Sequence, residues 1–164
     1  MFELTRQGDF GENGLDGGEF LIAPNPGEGL HPLAKIASGG EISRVFLAIK
    51  KVLGETRLAE TSVFDEVDVG IGGRVAEVIG RNLSQLAAKK QVICITHLPQ
   101  IACYADRHFV IQKRTEQGRT LARVRRVETE QREEEIARML GGLRITEQAM
   151  AHAREMLKSA HHRH

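Results

Sequence analysis

The hydrophobic pattern divides the chain into helical and extended stretches. From Glu41 to Leu53, the residues Ile42, Val45, Phe46, Ile49, Val52 and Leu53 recur at i, i+3, i+4, i+7 and predict a helix with one apolar face. Val75, Val78, Ile79, Leu83 and Leu86 repeat that period in a second helix. Thr61-Ser-Val-Phe64 is a short apolar run of the kind that forms a buried strand. Gln91-Val-Ile-Cys-Ile-Thr96 is a near-continuous β-branched run that suits a central strand covered on both faces. Alternation of strand, helix and strand predicts an α/β fold, mainly a parallel sheet flanked by helices.

The flanks read differently. Met1 to Gly18, rich in Gly, Asp and Glu, predicts an irregular lead-in or a frayed first strand. Glu19-Phe-Leu-Ile-Ala23 reads as a strand closed by the turn chemistry of Pro24-Asn-Pro-Gly27, with a loop from there to Ala37. Arg107–Lys113 and Thr120–Val127 flank Glu116-Gln-Gly118 and predict a β-hairpin, with Arg119, Arg123, Arg125 and Arg126 on a solvated strand face; a phosphate-contact role is the alternative, which the balanced net charge does not favour. Helices are expected over Glu130–Leu140, stopped by Gly141-Gly142, and over about Thr146–Lys158. His161-His-Arg-His164 reads as a disordered tail or a tag remnant.

Composition narrows the class without naming a function. At 164 residues, 41% apolar and 27% charged, the chain suits one soluble globular domain. A net charge of +1 gives no overall field for nucleic acid or membrane. With six Phe, one Tyr and no Trp, an aromatic stacking platform for single strands is not expected. No signal peptide or membrane span is visible, and Cys94 and Cys103 read as thiols of a reducing compartment, so a cytoplasmic protein is expected.

The candidate chemistry lies where strands stop. The run ending at Phe64 meets Asp65 and Glu66 at once, with Asp68 soon after and the turn Gly70-Ile-Gly-Gly73 beyond. Carboxylates at the carboxyl end of a strand face a cation or solvent, and open α/β sheets collect ligands at that edge. Asp65 could then hold Mg²⁺ through its water shell, and Glu66 could polarise a water. The second run ends at His97. Upstream, Ser38-Gly-Gly-Glu41 opens the first helix as an S-x-x-E capping box, whose bare glycine amides also admit a phosphate.

In this order, Ser38-Gly-Gly-Glu41, Val63-Phe-Asp-Glu66 and the strand ending at His97 resemble the C-terminal half of an ABC-type ATPase head. The matching parts are its signature motif, Walker B, the D-loop around Asp68 and the switch histidine. Ile36-Ala-Ser-Gly-Gly-Glu-Ile-Ser-Arg44, Phe64–Gly73, Thr96-His-Leu-Pro-Gln-Ile101 and Ile136-Ala-Arg-Met-Leu-Gly-Gly142 narrow the likeness. From about Phe20 to Leu157 the chain is similar to the RecN family of bacterial DNA repair proteins. These are SMC-like ATPases whose head is assembled from both chain termini across a long coiled coil.

The resemblance implies ATP and Mg²⁺ as cofactors and action in double-strand break repair and recombination, near the nucleoid. It implies Asp65 as Mg²⁺ support, Glu66 as general base and His97 as a γ-phosphate contact that helps order the attacking water. Ser38, Gly39, Gly40 and the flanking Glu41 would form the signature that reaches a nucleotide held by the opposite head. Asp68 would sit at the interface between heads, and Arg44 would be either an interface contact or a solvated helix residue. Implied partners are the N-terminal Walker A half of the same head, a second head and DNA.

One motif is missing from the chain. No G-x-x-x-x-G-K-[ST] occurs; Gly29 to Lys35 comes nearest and fails at the second Gly and at the Ser/Thr. No heptad run appears either. The expectation is a C-terminal lobe spanning 19–158, beginning after the coiled coil and inactive toward ATP when alone. The alternatives are an assembly or DNA-tethering module without hydrolysis, the head of another SMC-like chromosome-structuring protein, and an unrelated Rossmann-like domain.

Overall fold

A computed structural model describes the chain except residues 13, 24–26, 28, 36–37, 54–60, 117–118, 143 and 162–164. The readings of Pro24-Asn-Pro26 as a turn, of Gln117-Gly118 as the hairpin tip and of His162–His164 as a tail therefore lie outside the described residues. The elements are β1 (Phe2–Gly11), β2 (Gly14–Ile22), β3 (His31–Pro32), a 3-10 turn at Leu33–Lys35, α1 (Gly39–Leu53), β4 (Thr61–Phe64) and α2 (Gly73–Ala87). They continue with β5 (Gln91–Cys94), α3 (Pro99–Ala102), β6 (His108–Glu116), β7 (Arg119–Val127), α4 (Thr129–Gly141) and α5 (Glu147–His161).

The α/β unit expected from the alternation is present. β4 and β5 pair in parallel, Thr61 with Gln91 through Phe64 with Cys94, and α2 crosses between them. The first core joins Leu47 of α1, Phe64 of β4, Val67, Ala76, Ile79 and Leu83 of α2, and Ile101 of α3. A second core joins Ala102 to Ile136 and Ala137 of α4 and Ala153 of α5.

The N-terminus takes the second of its two expected forms, a first strand, and pairs it along most of its length. β1 and β2 form an antiparallel ribbon, Phe2 opposite Phe20, whose rings stand 4.9 Å apart. β3 then adds to β2 through Leu21 and Ile22. Among the described residues the parallel component of the sheet is therefore the single pair β4–β5, and the other pairings are antiparallel.

Two burial expectations also change. In α1, the buried positions are Gly40, Leu47 and Lys50, while Ile42, Phe46, Ile49 and Val52 of the apolar stripe are exposed. Lys50 reaches over the Phe46 ring, 5.1 Å from its centre, and keeps an ammonium beside an apolar face. In β5, Ile93 is exposed and only alternate residues turn inward, because the α2 core lies on one side of the pair. Val63 of β4 and Ile95 lie exposed with it.

In α2 the buried line is Ala76, Ile79, Gly80, Leu83 and Ser84, and Val75 and Val78 are left outside. Small residues carry this contact. A Cβ at Gly80 would fall 2.6 Å from the Tyr104 ring and 2.9 Å from the Gln100 carbonyl. α3 can approach α2 only because that Cβ is missing, and α3 is joined directly to the strand end that carries His97. Gly80→Ala should therefore lower stability by about 1–3 kcal/mol through overpacking. Gly72→Ala, with open space around it, should stay within about 0.5 kcal/mol. Urea unfolding of both variants measures the difference, and equal midpoints would remove the close approach at Gly80 from the account.

Candidate functional site

The site grows from two strands that end side by side. Ile95 N–H donates to the Phe64 carbonyl at 2.9 Å, so the parallel ladder runs to its last residues and sets Asp65 beside the Thr96-His97 turn. Asp65 is exposed, and its Oδ1 accepts the Glu66 amide at 2.9 Å. That bond draws the chain into a tight turn in which Glu66 takes φ 58, left-handed and costly for a residue with a Cβ. The strain sits on the residue with the strongest catalytic assignment. Glu66 is exposed, and Val67 and Asp68 after it turn back into the core.

Asp68 is the buried anchor. It is 3% exposed, and its Oδ2 accepts from Thr96 Oγ1 at 2.5 Å and from the His97 amide at 2.8 Å. The same oxygen lies 3.0 Å from His97 Nδ1, a contact that needs the proton on Nδ1. Thr96 Oγ1 in turn accepts from Leu98 N–H at 3.0 Å. The imidazole is thus tethered at one nitrogen while its ring stays 73% exposed and directs Nε2 outward. Burial alone would raise the Asp68 pKa. The bonds from Thr96 and from the His97 backbone, with the charge of His97, outweigh it and hold the carboxyl below its ordinary value of 3.8.

The start of α1 closes over this turn. Ser38 Oγ accepts from Glu41 N–H at 3.2 Å, the first half of the expected capping box; the reciprocal bond from Glu41 is not formed among the described residues. Ser43 Oγ donates to the Asp65 carbonyl at 2.6 Å. Arg44 reaches the Val69 carbonyl at 2.9 Å and the Val67 carbonyl at 3.4 Å, bracketing Asp68 from outside. A side chain at position 39 would run into the Glu66 carboxylate, and one at position 40 would lie 2.7 Å from the Glu66 carbonyl. Gly40 is required by contact with the Glu66 backbone, apart from any ligand, whereas at position 39 only the movable end of the Glu66 side chain stands in the way.

The expected residues are therefore brought together. Asp65, Glu66 and His97 share the edge where β4 and β5 end, and Ser38, Gly39, Gly40 and Glu41 open the helix beside it. The Asp68 side chain is buried and bonded within this chain. Arg44 is not simply solvated, since its guanidinium caps the carbonyls of the same turn. Ser43 and Thr96 were not singled out from the sequence. Thr96 stands directly before a strand-ending histidine and was open to suspicion, whereas Ser43 carries no sequence signal.

The donor set fits a hydrated Mg²⁺. Among the described residues no three His, Cys, Asp or Glu gather around a point. Asp65 is one exposed carboxylate at a strand end, which suits a small cation that takes its other ligands from water and phosphate. The cysteines are free and inert: burial pushes the Cys94 thiol up to about 12 and Cys103 to about 11.

Comparison with known proteins shows what the chain resembles. The chain is 45% identical over 161 residues to the DNA repair protein RecN of Halalkalibacterium halodurans, covering 97% of this chain and 28% of that protein. It is 45% identical over 149 residues to RecN of Bacillus subtilis and 50% identical over 150 residues to RecN of Mycobacterium leprae. The sequence is thus similar to RecN proteins over nearly its whole length. The likeness to RecN runs over 161 residues and so reaches beyond the stretch from Phe20 to Leu157. The chain spans about a quarter of the length of these RecN relatives, 25% to 28%. No family model matches. A solved structure from work on ATP-driven dimerization and DNA-stimulated activation of SMC ATPases superposes with a TM-score of 0.49 at 20% identity, over 79% of this chain and 74% of that one.

The depressed pKa of Asp68 has a consequence for stability. A carboxyl held below its ordinary value stabilises the fold fully above about 3.8 and loses that contribution as pH falls through the folded pKa. Asp68→Asn should cost about 1–3 kcal/mol at pH 7, where charge-assisted bonds are lost in a buried site. The gap to the parent should narrow below pH 3.8. Urea unfolding at pH 7 and near pH 3 reads both values. A gap independent of pH would mean that the charge of Asp68 does not hold the turn.

Proposed function

We propose that this chain is the signature-bearing lobe of an SMC-like ATPase head, residues 19–158 forming the lobe, with β1 and the first part of β2 before it. In this reading the complete head binds and hydrolyses ATP between two engaged heads during repair of DNA double-strand breaks. The observation that carries it is the shared edge where Asp65-Glu66 and Thr96-His97 meet under the N-terminus of α1. The 44–50% identity to RecN proteins supports the same reading.

The chemistry is divided among few residues. Mg²⁺, when bound with the nucleotide, neutralises charge on the β- and γ-phosphates. Asp65, at the end of β4, would be the residue that holds the ion. Glu66, locked in its tight turn beside Gly39, accepts the proton of the attacking water at its carboxylate. His97 presents Nε2 to the γ-phosphate while Asp68 fixes the ring from behind, so little reorganisation remains at the moment of reaction. Ser38 and the Gly39 and Gly40 amides, at the positive end of a 15-residue helix, serve a nucleotide held by the opposite head. Since Gly39 also abuts Glu66 of its own chain, occupation of the signature in trans would be felt directly by the general base in cis.

In this reading the phosphate-cradling loop, whose G-x-x-x-x-G-K-[ST] pattern does not occur in the chain, would come from an N-terminal partner lobe. Localisation to the bacterial cytoplasm and nucleoid accords with this role.

ATP hydrolysis by this chain, by a separately made Walker A lobe and by their mixture tests the proposal. Activity in the mixture alone is expected. A folded complex without activity would favour a tethering module, and activity of this chain alone would require a nucleotide site elsewhere. In full-length protein, Glu66→Gln should retain ATP binding and head engagement while turnover falls by 10²-fold or more, roughly the scale of general-base loss. Turnover near the parental rate would take Glu66 out of the mechanism. Ser38→Arg should abolish ATP-dependent association of heads with single-head nucleotide binding intact, and persistent association would refute the trans role.

A further inference from the structure

The hairpin β6–β7 is the part of the chain that the nucleotide chemistry does not use. Its charge is concentrated: between Arg107 and Val127 there are seven Lys or Arg and one acid, Glu116, in a chain whose net charge is +1. The register sorts that charge. Val110 pairs with Arg125, Gln112 with Arg123 and Arg114 with Leu121; between them lie Phe109 with Arg126, Ile111 with Val124 and Lys113 with Ala122. Directly opposed residues share a face and successive pairs alternate. One face therefore carries Arg114, Arg119, Arg123 and Arg125, with Glu116 opposite Arg119, and the other carries Phe109, Ile111 and Val124. Arg126, expected with the other arginines, lies on the apolar side and pairs with Glu128 at 2.7 Å.

The basic face is available. Arg114, Arg119 and Arg123 are exposed, and no ion pair or hydrogen bond engages their side chains among the described residues. Arg125 donates to Gln131 at 2.5 Å, which ties the base of this face to α4. Arg114, Arg123 and Arg125, like charges held on one face of a paired ribbon, repel one another, and an extended polyanion relieves that cost. Along β7, Arg123 and Arg125 stand about 7 Å apart and Arg119 and Arg123 about 14 Å apart, at two and four residues of strand rise. Guanidinium groups match phosphate bidentately.

We infer that this face of the hairpin is a contact surface for the phosphate backbone of duplex DNA. The face lacks the aromatic anchors that a protein partner would bury at its centre; these sit on the opposite side with Phe109. A two-stranded ribbon fits the major groove of B-form DNA, about 12 Å wide, whereas the deep, narrow major groove of A-form RNA excludes it. The contact carries no base-specific side-chain set and so holds DNA without reading sequence. The inference deepens the DNA-partner part of the proposed function and does not depend on the nucleotide site.

The test is binding of a fluorescent 30-base-pair DNA to this chain, followed by anisotropy across a salt series. The variants are Arg114→Gln/Arg119→Gln/Arg123→Gln and a control with the same charge change elsewhere, Arg6→Gln/Lys35→Gln/Arg144→Gln. The hairpin triple should flatten the slope of log K against log salt by about 2.7, at 0.9 per phosphate contact. The control should keep most of the parental slope, and circular dichroism should show all three proteins equally folded. Three results would each overturn the inference: no binding of DNA by the parent chain at 50 mM salt, equal slopes for parent and hairpin triple, or equal loss in the control. Equal affinity for duplex RNA would overturn the groove geometry. ATP hydrolysis by the mixed lobes is scored separately, so loss of DNA binding with hydrolysis intact counts against the hairpin alone.

Discussion

One buried oxygen organises the candidate site. Asp68 Oδ2 takes the Thr96 hydroxyl, the His97 amide and the His97 ring, and it does so where water is nearly absent. A carboxylate in such a place is tolerable only when its hydrogen bonds are made, so the turn after β5 must come to it in one arrangement. Asp68 stands three residues beyond Asp65 in sequence, so the same turn that buries it leaves Asp65 and Glu66 facing out. Burying one acid thus fixes the position of two others. The charge of Asp68 is satisfied from the neighbouring strand end, and the relative position of the two strand ends is set by a bond as well as by the parallel ladder.

The helix α1 adds a second set of ties, all to backbone. Ser43 holds the Asp65 carbonyl, and Arg44 holds the carbonyls on either side of Asp68. These bonds need no particular side chain at positions 67 and 69 and are unaffected by what Glu66 does in a reaction. They separate holding from reacting: Ser43, Arg44, Asp68 and Thr96 position, while Asp65, Glu66 and His97 keep exposed functional atoms. The left-handed Glu66 is the seam between the groups, and its strain is sustained because Asp65 Oδ1, Gly39 and Gly40 leave it little else to adopt.

Much of this was legible in the residues and some was not. The end of β4 before Asp65 follows from where the apolar run stops, a local property, whereas β5 ends at Cys94, short of the expected stop at His97. The S-x-x-E pattern correctly started α1 at Ser38. Burial was harder, because periodicity finds an apolar stripe without saying which neighbour covers it. In α1, Leu47 and Lys50 are buried and Ile42 is not, while Phe46 is exposed on one side and sets its ring 5.5 Å from that of core Phe64. In α2, Ala76 and Gly80 matter more than Val75 and Val78, since the neighbouring helix needs an absence of bulk there. β1 hid behind glycines and acids that lower strand propensity, yet pairing with β2 and the Phe2–Phe20 contact settled it as a strand. The interior fate of Asp68 depended on Thr96, 28 residues away, and no local pattern reports such a partner.

The same separation accounts for the two-sided hairpin. In a strand the side-chain period is two, so a run such as Arg123-Val-Arg125 places its charges together only if the register is kept. β6 and β7 keep it without a bulge from His108 to Val127, anchored at the base by buried Val127 and by Arg125 on Gln131. A one-residue slip would carry the arginines to the side of Phe109 and Ile111 and scatter both surfaces. The buried base of the ribbon therefore does for its exposed arginines what Asp68 does for His97: it spends core packing and one directed bond to fix where a charged group points, and leaves the group itself in water.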